Sequence, residues 1–159
     1  MEAEDDVTAY LEFPDGATGV FITSIGDAPG ANRLELMLTK GTVKCENEDL
    51  SLYLLEKDGR EYCFTADNPY EAPAWHFADI STDGRNEQHQ GVINAFIANI
   101  LGKGEMAARC EEGLKSLVLT NAMYFSSWTG RPVDISFDED IYLALLNRKI
   151  KESKGERHV

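Results

Sequence analysis

Histidine is the side chain best suited to general acid–base work near neutral pH, and this chain has three of them. His76 follows Trp75 in a stretch that also holds Pro69, Tyr70 and Pro73. An aromatic face stacks on a sugar ring and an imidazole bonds its hydroxyls, so the pair suits a sugar pocket. The commoner arrangement is a tryptophan anchoring a core with a hydrogen-bonded histidine beside it. His89 stands in Asn86-Glu87-Gln88-His89-Gln90, the polar first turn of an expected helix. Backbone N–H groups at such a turn suit an anion or a polar substrate group; a solvated first turn is the plainer reading. Trp75, His76, Gln88 and His89 are therefore the pocket candidates. His158 lies in the polar tail and is set aside.

Nothing else in the sequence assembles a catalytic set. Gly26 and Gly30 lead into an expected strand, so they are turn residues and not a dinucleotide fingerprint. No P-loop, H-E-x-x-H or G-x-S-x-G occurs. The carboxylates Asp5-Asp6, Glu46 to Asp49, Glu111-Glu112 and Asp138 to Asp140 fall at element ends, where capping or solvated roles are usual. Cys45, Cys63 and Cys110 are widely spaced and form no metal-ligand pattern with histidine, so no metal site is expected. Few cysteines with no C-x-x-C pair also fit a reducing cytoplasm.

The elements that must carry these residues follow from length and charge. A chain of 159 residues is one domain by default and is long enough to bury a core without disulfides. A net charge of −13 repels phosphate backbones and anionic membrane surfaces, which sets nucleic acid and membrane aside as partners. No apolar run approaches the roughly 20 residues of a spanning helix. The acidic start, Met1 to Asp6, is no signal peptide.

Alternation from Val7 to Phe13, the turn Pro14-Asp15-Gly16 and the β-branched run to Ile25 predict a hairpin. Further strands are expected at Asn32 to Thr39, Thr42 to Glu46, Leu50 to Glu56, Arg60 to Thr65 and Trp75 to Ile80, the Asp58-Gly59 pair being read as a turn. The second half changes to helical period. Val92, Ile93, Phe96, Ile97, Ile100 and Leu101 stripe one helix, stopped by Gly102 and Gly104. Leu114, Leu117, Val118, Ala122 and Phe125 stripe a second, ended by Gly130. A short strand is expected at Val133 to Phe137. Asp138 should then cap a last helix bearing Ile141, Leu145, Leu146 and Ile150.

Strands first and helices after them predict an α+β domain over residues 1–152, a largely antiparallel open sheet with about three helices packed on one face. Residues 153–159 should form a frayed tail. The uncovered face is expected to show Phe21, Thr23, Met37, Tyr53 and Leu55, too apolar for comfortable solvation, so it should meet another chain.

Glu4 to Phe13 and Gly16 to Phe21, then Gln88 to Phe96, Glu111 to Leu114, Asn121 to Ile135 and Asp138 to Tyr142 stand in an order that resembles one family. It is the C-terminal domain of the glucose-fructose oxidoreductase, inositol dehydrogenase and rhizopine-catabolism (Gfo/Idh/MocA) oxidoreductases. In that family a separate N-terminal Rossmann domain binds NAD or NADP and supplies a catalytic lysine. An Asp/His pair before the first hairpin aids proton transfer. The resemblance implies that this chain starts after all of these, as an expressed domain, a proteolytic product or a split-gene product. It then implies no catalytic residue here and no cofactor bound to this chain alone. It also implies a sugar, polyol or derivative as the parent enzyme's substrate, and a homo-oligomer through the open sheet face. Two other readings of the same residues stand beside it, a stand-alone oligomerisation module and a small-ligand-binding α+β domain.

Overall fold

The computed structural model describes residues 4–47, 49–68, 70–82, 84 and 87–156. The chain divides into two compact units, Met1–Gly26 with Asn86–Val159, and Asp27–Arg85. Both are built of antiparallel strands and α-helices, so the α+β class expected from the sequence holds. The strands make a two-stranded ribbon and a separate four-stranded sheet, where one open sheet was expected.

In the first unit, β1 (Asp6–Glu12) pairs with β2 (Thr18–Ser24) in the register Val7↔Thr23, Ala9↔Phe21, Leu11↔Gly19. The turn between them closes as its residues dictate. Gly16 takes a φ of +86°, and the Asp15 carboxylate accepts from the Ala17 N–H at 3.0 Å. Val7, Ala9 and Leu11 are half-buried, whereas Tyr10, Val20 and Ile22 on the other side are open.

The same unit holds α2 (Gln88–Ile100), α3 (Cys110–Thr129) and α4 (Glu139–Glu156). Each has a local reason to start or stop where it does. The Glu112 carboxylate accepts from the Arg109 N–H at 3.1 Å, which ties down the start of α3. Gly130 ends α3 in the left-handed conformation, φ +64°, with its N–H on the Ser126 carbonyl at 2.8 Å. Asp138 caps α4 as expected, its Oδ1 accepting from the N–H groups of Asp140 and Ile141 at 2.9 and 3.2 Å.

The expected strand at Val133 to Phe137 is instead an irregular turn. The Asp134 carboxylate takes both the Ser136 N–H, at 2.8 Å, and the Ser136 hydroxyl, at 2.6 Å. A side chain that satisfies the backbone locally removes the need for a ladder partner. Beyond it α4 runs to Glu156, so the stretch read as a fraying tail is helical for its first four residues, Ser153 to Glu156. Residues 157–159 lie outside the described residues.

The core of this unit lies between α3 and α4. Ala122 and Phe125 are the buried apolar residues among those described, Phe125 being only 5% exposed. Phe137 and Tyr142 present their rings edge-on to Phe125, at 5.5 and 6.0 Å between centroids. Trp128 stacks on Tyr142 at 5.8 Å, and the Tyr142 hydroxyl donates to Asn121 Oδ1 at 3.0 Å. Burial, with Glu4's carboxylate close by, lifts the Tyr124 phenol above its ordinary pKa; burial does the same for Tyr142, with Tyr124 beside it.

In the second unit, β3 (Arg33–Leu38), β4 (Gly41–Glu46), β5 (Asp49–Leu55) and β6 (Trp75–Ala78) follow one another across the sheet, every pair antiparallel. Gly41 is obligatory at the β3–β4 turn. Its φ is +151°, and a Cβ there would sit 2.1 Å from the Tyr53 carbonyl oxygen. The expected strand at Arg60 to Thr65 is a helix, α1 (Gly59–Thr65). Asp58, read as a turn residue, is its N-cap: Oδ1 accepts from Arg60 N–H at 3.0 Å and from Glu61 N–H at 3.3 Å. The edge beside β5 then goes to β6, through Leu55↔Trp75 and Tyr53↔Phe77.

Candidate functional site

Strand alternation sorts the four-stranded sheet into two faces of different chemistry. On one face the register stacks Leu34, Cys45 and Leu50 in one row and Leu36, Val43, Leu52 and Ala78 in the next. This face is almost wholly aliphatic. His76 joins it at the far row, opposite Leu54.

The other face is graded from charge to aromatic. At one end Arg33 lies opposite Glu46, and Glu35 lies opposite Lys44. Arg33 and Glu35 form an ion pair along β3, and Lys44 Nζ reaches Glu46 at 2.5 Å along β4. The four charges thus alternate in sign in both directions. The hydrogen bond and charge of Glu35 hold the Arg33 pKa above its ordinary value, and those of Lys44 hold the Glu46 carboxyl below its own. Lys44, Glu46, Asn47, Asp49 and Ser51 line a shallow polar hollow there.

Two residues further along the strands, the row Met37, Thr42, Tyr53 and Phe77 crosses the whole sheet, with Leu55 and Trp75 beyond it. Tyr53 meets Trp75 edge-to-face at 5.4 Å and Phe77 at 5.8 Å. These rings hold one another upright over a wide open shelf. Met37 is 81% exposed, and Trp75 and Phe77 are each 56% exposed. That is a large apolar area without a cover in its own unit.

The expected site residues are therefore redistributed. Met37, Tyr53 and Leu55 share this face, as the alternation of their strands predicted. Phe21 and Thr23 do not belong to that sheet. They sit in β2, on the ribbon face that also carries Val7 and Ala9. Trp75 and His76 are neighbours on β6 and point to opposite faces, so they do not wall one pocket from that strand. Gln88 and His89 are exposed in the first turn of α2, where Gln88 has a φ of +44°. They and Trp75 belong to different units. Sequence reasoning missed Phe77 and assigned Trp75 to a pocket. The signal was there: in Trp75-His76-Phe77-Ala78 the two aromatic rings fall on one side of a strand.

Among the described residues no group of His, Cys, Asp or Glu is placed to hold a metal ion. No helix among them is long and apolar enough to cross a membrane. All strand pairs among them are antiparallel, and no helix follows a strand as a crossover to a parallel partner. The phosphate-binding strand–turn–helix of a dinucleotide fold is thus not formed among the described residues.

A model of an oxidoreductase family's C-terminal alpha/beta domain, GFO_IDH_MocA_C, matches residues 1–135. The matched stretch takes in both sheets and α1 to α3 and ends before α4. No curated protein matches the chain.

Proposed function

Because the chain belongs to the Gfo/Idh/MocA oxidoreductase family and carries its C-terminal domain, we propose that it is the substrate-side and oligomerisation half of an NAD(P)-dependent enzyme acting on a sugar, polyol or derivative. The cofactor and the catalytic lysine would come from a Rossmann domain; in this reading the described residues contribute shape and association, and no chemical step.

The observation that carries the oligomerisation part is the contrast between the two sheet faces. Subunit contacts are enriched in aromatic side chains, Met and Arg. Met37, Tyr53, Trp75, Phe77 and Arg33 lie on one face, and Leu34, Leu36, Leu50 and Leu52 lie on the other. The aromatic face is the one that meets a second copy. Its alternating charges at Arg33, Glu35, Lys44 and Glu46 then favour one register over a slipped one. The family and the acidic, cysteine-poor composition also favour a cytoplasmic protein.

Sedimentation velocity at micromolar concentration tests the association, with a dimer or higher oligomer expected. A monomer throughout would remove it. A fluorescence titration with NADH tests the division of labour, and the chain alone is expected to show no micromolar binding. Ligand-dependent rises in melting temperature across a panel of sugars and polyols would identify the substrate class once a Rossmann domain is supplied.

A further inference from the structure

We draw no further inference here: the strongest candidate, the open aliphatic face of the four-stranded sheet formed by Leu34, Leu36, Val43, Leu50 and Leu52, carries nothing, because nothing in the structure shows what covers it.

Discussion

The α3–α4 pair and the four-stranded sheet answer the same demand in opposite ways. Each must remove aromatic side chains from water. The helix pair does so with its own residues. Phe125 is buried, Phe137 and Tyr142 close over it, and the Tyr142 hydroxyl is satisfied by Asn121. The sheet gathers Tyr53, Trp75 and Phe77 into a comparable cluster and leaves Trp75 and Phe77 more than half exposed. An aromatic cluster with a lid is a core; the same cluster without one is an exposed apolar surface.

The sharpest way to break this distinction is to remove the lidded ring. Phe125→Ala should lower the unfolding free energy by about 3 kcal/mol or more, the range for a buried phenylalanine that leaves a cavity. Urea unfolding followed by helix circular dichroism measures it. A loss below about 1 kcal/mol would mean that α3 and α4 are held together by something other than this cluster.

Next in size is the unlidded ring. Trp75→Ser should leave the helix unfolding midpoint where it is and weaken self-association by about 2 kcal/mol, roughly thirtyfold in Kd, as for an interface anchor. Sedimentation equilibrium reads the second quantity and urea unfolding the first. If the variant instead unfolds early with its association unchanged, Trp75 is a core residue and the two clusters differ only in degree.

Much of this contrast was legible in the sequence. Period-two alternation placed Met37, Tyr53 and Leu55 on one face, and the helical period placed Ala122 and Phe125 on the buried stripe of α3. Both failures of element type have one cause. At Asp58 and at Asp134 a short carboxylate side chain bonds nearby N–H groups and decides the local conformation against the β-propensity around it. Tyr62, Cys63, Phe64 and Thr65 read as strand until the Asp58 cap is recognised. The pairing of Trp75 with His76 as one pocket failed differently. Neighbours in sequence on a strand lie on opposite faces, so Trp75 and His76 diverge. The division of strands into two sheets depends on which strand pairs with which, and residue pattern alone does not fix that.

The two regions also each hold a capped helix, and the caps give a smaller comparison. Asp138 starts α4 in the packed region, with both its bonds aimed at the first turn. Asp138→Ala should cost about 1 kcal/mol of unfolding free energy, whereas Asp138→Asn should cost only a few tenths. Equal losses for the two variants would show that charge at the helix start, rather than the capping bond, is what Asp138 supplies.

Asp58 in the sheet region should show the smallest effect, and one visible only in acid. The Thr39 hydroxyl, the N–H groups of Glu61 and Arg60 and the charge of Lys40 together hold its carboxyl below the ordinary value. A folded pKa lowered in this way stabilises the cap fully above the unfolded value of about 3.9, and the contribution is lost as pH falls through the folded pKa. The amide resonances of Arg60, Glu61 and Tyr62 should therefore hold their positions down to about pH 4 and move below it. Asp58→Asn keeps the acceptor and removes the titration, so its amides should not move in that window. If they move as the wild type's do, the acid step belongs to another carboxylate, and α1 stays closed by its backbone bonds to Thr39 and Asp58 alone.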